Sequence, residues 1–413
     1  MTKNNNTIPQ GWTAKSLGQI GTFLKGKGIA KVEIIETGKP CIRYGQIYSE
    51  YNYFVEEFKS FINEASANNS ERIYKNDLLF AGSGETLEDI GKCVAYIKEE
   101  EAYAGGDIII LRPYSEDAHY LGYLLNSDEV KKQTFRFGQG HSVVHIYSSS
   151  LKHLNISLPP LPEQQKIAKI LATWDKAFAL QQKLIVEKKQ YKKAVMKKLL
   201  TGEIRFIGFS EEWKEYHLGV LGNTYSGLSG KSKEDFGTGI PYIPYKNIYG
   251  NPSIDISYMD YVNVKPGENQ NKVIYGDIFF TVSSETPDEV GMSSVLLDKS
   301  IEELYLNSFC FGFRLNDFNT LLPEFASHYF RGDKFRFEML KAAQGATRFN
   351  LSKSNVTKLK IVIPSEKEQG KIASFLTGVD SEIKALEKEL VTIQKQKQGL
   401  MQQLLTGKVR VKN

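Results

Sequence analysis

Three groups of residues invite a chemical reading before anything else in the chain. Phe80-Ala-Gly-Ser-Gly84 has the form of the FxGxG turn whose glycines let a backbone approach S-adenosylmethionine. His141 and His145 stand four apart, a spacing two metal ligands can share, but no third ligand accompanies them. Cys41, Cys93 and Cys310 raise the question of a disulfide framework or a structural zinc. None of these readings gathers support. No Asn/Asp-Pro-Pro-aromatic tetrapeptide, expected of an adenine methyltransferase, occurs anywhere in the sequence. There is no GxxxxGK[ST] phosphate loop, so ATP hydrolysis has no cradle. The cysteines are odd in number and lack CxxC spacing, which argues against a disulfide framework and against structural zinc. No nucleophile, base and acid fall into a recognisable constellation. The expectation is a chain with no catalytic residues, no metal and no cofactor of its own.

The elements that must position any remaining chemistry are written twice. Trp12, Leu17, Gly18 and Gly21 recur as Trp213, Leu218, Gly219 and Gly222, an offset of 201. At the same offset Pro40-Cys-Ile-Arg-Tyr44 lies over Pro241-Tyr-Ile-Pro-Tyr245. Asp77-Leu-Leu-Phe80, Glu85-Thr86 and Gly91 recur as Asp277-Ile-Phe-Phe280, Glu285-Thr286 and Gly291 at an offset of 200. Beyond that the offset is 205. There Gln139-Gly140 matches Gln344-Gly345, Glu163-Gln164 matches Glu368-Gln369, and Leu199-Leu-Thr-Gly202 matches Leu404-Leu-Thr-Gly407. So many matches in one order mean a duplication with a unit of about 200 residues, a domain plus a helix rather than a solenoid repeat. In the second copy Phe280-Thr-Val-Ser-Ser284 replaces the glycine turn, so those glycines are not demanded by the fold.

Each copy ends in a helix-forming stretch, about Pro162 to Leu200 and about Ser365 to Leu405, with suitable openings and glycine stops. In the second, Ile372, Leu376, Val379, Ile383, Leu386, Leu390, Ile393, Leu400 and Leu404 fall at alternating steps of four and three, with Lys397 filling the gap. That is a heptad seam. Subtracting 205 gives Ile167, Leu171, Trp174, Phe178, Ile185, Val195 and Leu199 in the first, interrupted by Gln181, Lys188 and Lys192. Each helix is about 55 Å long and cannot bury its stripe alone. Duplication about a twofold axis predicts that the two pair antiparallel as a spacer. Ten lysines against three acids between 163 and 200 make the first helix strongly basic, either a solvated face or a surface for DNA or a partner.

The rest reads as mixed α/β. The expected organisation is two similar domains, 1–158 and 206–363, separated by helical spacers 159–205 and 364–413, a pseudo-twofold internal repeat. A length of 413 residues, 41% hydrophobic and 12% aromatic, permits real cores, and the net charge of +5 permits a polyanionic partner without demanding one. No apolar run suggests a signal peptide or a membrane span, and a reduced cytoplasm is the simplest compartment.

With these residues in view, the sequence resembles the specificity (S) subunits of type I restriction-modification systems, the HsdS family, over essentially its whole length. The carrying features are the Trp-initiated domains, Asp77 to Thr86 with Asp277 to Thr286, the Gly-Ala-Thr-Arg-Phe-Asn loop at 345–350, and the junction Leu-Pro-Pro-Leu-Pro-Glu-Gln-Gln-Lys-Ile at 158–167. The resemblance implies two target-recognition domains, each reading one half of a bipartite site on double-stranded DNA. It implies spacer helices that act as a ruler and dock two methyltransferase (M) subunits carrying S-adenosylmethionine. It also implies restriction (R) subunits using ATP and magnesium. Half-sites about 10 bp apart would let both domains meet one face of the duplex. Ile42-Arg43-Tyr44-Gly45-Gln46 differs from Ile243-Pro244-Tyr245-Lys246-Asn247, which points to an asymmetric target.

Candidates for DNA contact are then the basic, amide and hydroxyl residues of the diverged loops, since Arg and Lys grip guanine edges or phosphates and Asn and Gln pair with adenine. In the first domain these are Lys25, Lys27, Arg43, Tyr44, Gln46, Ser83, Thr86, Gln139 and His141. In the second they are Lys231, Lys246, Asn247, Ser283, Thr286, Gln344, Thr347, Arg348 and Asn350. Tyr44 and Tyr245, in matched framework positions, read as core rather than base-stacking residues. The competing readings are a self-contained methyltransferase, which methyl transfer by the chain alone would establish, and a coiled-coil scaffold, which leaves two aromatic, loop-diverged domains without a purpose.

Overall fold

A computed structural model of the chain describes residues 8–140, 144–286, 289–345 and 349–411. Contacts divide it into two units, Met1–Gln182 with Glu389–Asn413, and Lys183–Lys388. Each unit holds one globular domain and a stretch of each long helix, so the natural cut falls inside the helices rather than at their ends.

In unit 1, Gly21–Lys25, Ile108–Pro113, Leu78–Ala81 and Cys93–Ala95 form an antiparallel sheet in that order. A second sheet runs Ser60–Ile62, Lys39–Ile42, Ala102–Ala104, Glu71–Ile73, with Lys39–Ile42 parallel to Ala102–Ala104. Unit 2 repeats the first sheet as Gly222–Ser226, Cys310–Leu315, Ile278–Thr281, Ser293–Val295. It repeats the second as Asp260–Val262, Phe236–Ile243, Tyr305–Leu306, again with one parallel pair and, among the described residues, one strand fewer.

The strands Leu78-Leu-Phe-Ala81 and Ile278-Phe-Phe-Thr281 are apolar runs without alternation because both faces of each are buried. Successive side chains of a strand point to opposite faces. Leu78 and Phe80 enter the core that also takes in Ile167, Leu171, Leu404 and Leu405 of the long helices, while Leu79 and Ala81 enter a separate core under the smaller sheet. Ile278 and Phe280 do the same beside Leu199, Ile372 and Leu376, and Phe279 faces the other way. Thr13–Ser16 pairs with Asn155–Leu158, and Lys214–His217 with Lys360–Ile363, bringing the start of each domain beside its end where the helix departs.

The long helices are α1, Leu161–Leu199, and α2, Glu366–Leu405. Their first turns carry the repeated Glu-Gln, which the structure reveals as a joint. Gln164 accepts from the Asp117 amide at 3.0 Å and donates to the Pro159 carbonyl at 2.9 Å. Gln369 accepts from the Leu322 amide and donates to the Thr320 and Pro364 carbonyls. Glu163 receives Arg410, and Glu368 receives Arg205, each through two guanidinium nitrogens. All four side chains are buried.

Within each unit the helices run antiparallel. In unit 1, Glu163, Asp175 and Gln181 meet Arg410, Lys397 and Glu389. In unit 2, Lys188 and Lys192 meet Glu382 and Asp380. As one number rises, the other falls. Of the seam residues, Ile167, Leu171, Ile185, Leu199, Ile372, Leu376, Val379, Ile383 and Leu404 are buried. Trp174, Phe178, Val195, Leu386, Leu390, Ile393 and Leu400 are half-buried. The three interruptions, Gln181, Lys188 and Lys192, are the places where α1 bonds an acid of α2. With Lys189 on Glu387, much of the lysine-rich face between 188 and 192 is spent on the neighbouring helix.

Candidate nucleic-acid interface

In unit 1 the candidate loops converge on one turn, 104–107. The Lys27 amide donates to the Ala104 carbonyl at 3.1 Å, Gly105 N to the Ile42 carbonyl at 2.9 Å, and Gly82 N to the Asp107 carbonyl at 2.7 Å. Lys25 and Lys27, Arg43, and the Ser83–Thr86 turn therefore surround a single hub. The approach is close enough to need glycine. A Cβ on Gly26 would lie 2.1 Å from the Gly105 carbonyl oxygen, and one on Gly82 would lie 2.7 Å from that of Asp107. Gly28 and Ile29 both have left-handed backbones, φ 63° and 60°. A β-branched residue there carries strain of about 1–3 kcal/mol, the kind of outlier that clusters at functional loops.

Unit 2 builds the same hub from 306–310. Leu228 N donates to the Leu306 carbonyl, Asn307 N to that of Ile243, and Val282 N to that of Phe309. This brings the 226–228 loop, the Tyr245–Gly250 helix and the Ser283–Thr286 turn together. Tyr245 Oη donates to the Ser283 carbonyl at 3.3 Å.

Beside each hub stands a short two-stranded arm. Val144–His145 pairs with Ser83–Gly84, and Phe349–Asn350 with Ser283–Ser284. Gln139 bridges His145, and Gln344 bridges Asn350, so both glutamines sit exposed on an arm that borders the hub. His141, Thr347 and Arg348 lie outside the described residues.

The structure corrects four of the sequence candidates. Gln46 is buried, donates to Ser60 Oγ at 2.8 Å and accepts from the Arg43 amide, closing the turn that opens its own helix. Asn247 is fully buried, donates to the Asp255 and Tyr258 carbonyls and accepts from the Asp255 amide. Ser83 is buried with Oγ on His145 Nδ1 at 2.8 Å. Lys231, with 4% of its side chain exposed, is held by Glu268 and the Asn263 carbonyl. A polar side chain with its bonds made inside the fold is not free to read a base. Tyr44 and Tyr245 are half-buried against the smaller-sheet cores. Lys25, Lys27, Thr86, Gln139, Lys246, Thr286, Gln344 and Asn350 are exposed, while Arg43 and Ser283 are half-buried. Lys27 also pairs with Glu71 at 3.4 Å.

Three groups at the rims are absent from the sequence candidates for DNA contact, although the sequence reading weighs His145 as a metal ligand. His145 is fixed through Nδ1 by Ser83 and stacked on Tyr147 at 6.5 Å, and Tyr147 itself is half exposed. Phe309, at the hub of unit 2, is 60% exposed. The signal for His145 lay in the repeat, since Asn350 occupies its place 205 residues on.

The glycine turn at 80–84 has an internal explanation. A Cβ on Gly84 would lie 2.5 Å from Asp89 Cβ, so a side chain of the same turn fills the approach. Burial pushes the Cys41 thiol up to about 12 and raises those of Cys93 and Cys310, which keeps all three protonated.

Comparison with known proteins follows the same duplication. The family model for the type I restriction modification DNA specificity domain matches twice, over residues 9–189 and 210–395. The chain belongs to the type I restriction-modification specificity family. It is 30% identical to a putative type I restriction enzyme MjaX specificity subunit of Methanocaldococcus jannaschii, over 98% of this chain and 95% of that one. It is 22% identical to the EcoKI specificity subunit of Escherichia coli K12, over 98% and 89%. Among solved structures, the fold resembles the S subunit from M. genitalium (TM-score 0.55, 18% identity, 98% of both chains). It also resembles the HsdS subunit from Thermoanaerobacter tengcongensis (TM-score 0.56, 18% identity, 99% and 100%). The specificity-family domain thus occurs in two copies whose frameworks agree and whose rims differ. Among the described residues no helix is long and apolar enough to cross a membrane.

Proposed function

We propose that this chain is the DNA-reading subunit of a type I restriction-modification complex, each unit's rim contacting one half of a split, asymmetric target on double-stranded DNA. The observation that carries this reading is the duplicated hub. The same backbone bonds gather the same three loops in both units, while the side chains at the rim differ: exposed Lys25 and Lys27 with half-buried Arg43 in one, Lys246, Phe309 and Asn350 in the other. A constant scaffold with divergent loops is the arrangement two different readers require. On this reading the chain catalyses nothing itself. Methyl transfer belongs to two docked methyltransferase subunits that bind S-adenosylmethionine, and cleavage to restriction subunits that use ATP and magnesium. The long helices serve as the spacer.

The test is binding of the full chain, with its methyltransferase partner, to duplexes carrying the split motif found by sequencing methylated host DNA. Affinity is expected to fall linearly with log salt as phosphate contacts release counterions. Arg43→Ala is expected to weaken binding about tenfold and to relax selectivity in one half-site only, as removal of one base-edge or phosphate contact does. Salt-independent or sequence-blind binding would overturn the reading, and so would methylation by the chain alone.

A further inference from the structure

Two of the three lysines that interrupt the heptad seam, Lys397 and Lys192, occupy one repeat position. Lys397 is 9% exposed on the face that α2 turns to α1. Its Nζ donates to Asp175 Oδ1 and lies over the rings of Tyr53 at 4.4 Å and Tyr123 at 5.6 Å. The Oδ2 of the same carboxylate accepts from Tyr123 Oη at 2.6 Å, and Tyr123 belongs to the globular domain. One carboxylate thus joins three elements: α1 carries it, α2 charges it, and the domain helix Ala118–Leu124 bonds it.

Unit 2 holds the same node at the repeat offset, with Asp380 and His328 205 residues on from Asp175 and Tyr123, and Lys192 205 residues before Lys397. Lys192 of α1 donates to Asp380 Oδ1 of α2, and His328 takes the place of Tyr123. His328 Nδ1 lies 3.9 Å from Asp380 Oδ2, and its Nε2 bonds Thr377 Oγ1 at 3.1 Å.

Stability does not account for this. A buried ion pair commonly contributes no more than the apolar residues that would replace it. What a polar residue in a seam supplies is a fixed alignment. A stripe that repeats every seven residues matches itself again after a shift of seven, whereas a shifted lysine would leave a half-buried carboxylate unpaired and a lysine against the apolar stripe, at a cost of about tenfold or more in population. We propose that Lys397 with Asp175, and Lys192 with Asp380, are positioning residues that lock each reading domain to one place on the helix pair and thereby set how strictly the subunit discriminates the spacing of its half-sites. The inference rests on the DNA-reading function proposed above.

The experiment compares duplexes with the native spacing and with one base pair more or fewer, bound by the full chain in complex with its methyltransferase subunits. Lys397→Met with Asp175→Asn removes both charges and leaves Tyr123 an acceptor. This variant is expected to keep the native melting midpoint within a few degrees and the native-spacing affinity within about threefold, while discrimination against the altered spacings falls about fivefold or more. Lys397→Arg, which keeps the charge, is expected to retain the discrimination. Lys192→Met with Asp380→Asn is expected to behave as the first pair does, and carries the test should the first variant not fold. Unchanged discrimination in folded neutral variants would overturn the proposal, as would equal loss in Lys397→Arg. If the unmodified complex binds no split target, the DNA-reading function itself fails, a result distinct from failure of the lock.

Discussion

Replacing Asp277 with alanine is expected to lower the stability of unit 2 by about 3–5 kcal/mol, the usual cost of removing one partner from a buried ion pair. The carboxylate is 1% exposed and carries four bonds. Arg314 donates through Nε at 2.8 Å and Nη2 at 2.7 Å, the Tyr225 hydroxyl at 2.6 Å, and the Ile274 amide at 2.9 Å. The Asp277 amide closes the same turn by donating to the Ile274 carbonyl. Tyr225 lies under the Arg314 guanidinium at 5.0 Å, and its ring presses on Gly312, where a Cβ would come within 2.1 Å of it. Without the carboxylate, a half-exposed guanidinium can turn to water, but the buried tyrosine hydroxyl cannot. Asp277→Asn keeps acceptors for the amide and the hydroxyl and is expected to cost less than the alanine. The measurement is the urea midpoint of the transition that includes unit 2, taken at constant slope. A loss below about 1 kcal/mol in the alanine variant would show that the site relaxes around the missing group.

The same pair exists in unit 1 with one partner changed. Arg112 grips Asp77 at 2.8 and 2.7 Å, and the Tyr74 amide closes the turn, but the aromatic under the guanidinium is Tyr74 itself, at 4.6 Å. The repeat placed Asp77 over Asp277. It could not place the arginines, which follow loops of different length and stand 35 and 37 residues away from their aspartates. That contrast runs through the molecule. The helices, their seam and their antiparallel sense were legible, because periodicity and duplication are written locally or at a fixed offset. The partners of the seam's interruptions were not. Nothing near Lys188 or Lys192 announces Glu382 or Asp380, which become neighbours only once the helices fold against each other.

The candidate interface divides on the same physical line. Which loops approach one another depends on a turn, 104–107, that carries no recognition signal of its own and acts through backbone bonds. Gln46 and Asn247 were chosen because amides can read adenine, and the same capacity is what lets an amide satisfy buried backbone groups. Residue type alone does not distinguish the two uses, since burial decides between them. Asn247, fully enclosed, bonds two carbonyls and an amide of its own loop. Lys246, next to it on the same helix, points into solvent.

Lowering the pH from 7 to 5 is expected to destabilise unit 2 by about 2 kcal/mol through a single side chain, His328. Its ring is 3% exposed, and burial holds its pKa down to about 4, against an ordinary value of 6.5. Asp380 opposes the burial, while Lys192 and Arg331 reinforce it. Between these two values the unfolded chain takes up a proton that the folded chain refuses, so the stability present above pH 6.5 is progressively lost as the pH falls toward 4. The first unit supplies the control, because Tyr123 stands in the same place, bonds its aspartate directly and does not titrate in this range. His328→Tyr and His328→Gln are both expected to flatten the pH dependence of unit 2 between 7 and 5, whatever either does to stability at pH 7. Urea midpoints of the three proteins at pH 7, 6 and 5 decide the matter. A pH dependence as steep in both variants as in the parent would place the titrating group elsewhere. A flat parent would mean that Asp380 moves to meet the imidazolium, closing the 3.9 Å gap and offsetting the cost of burying its charge.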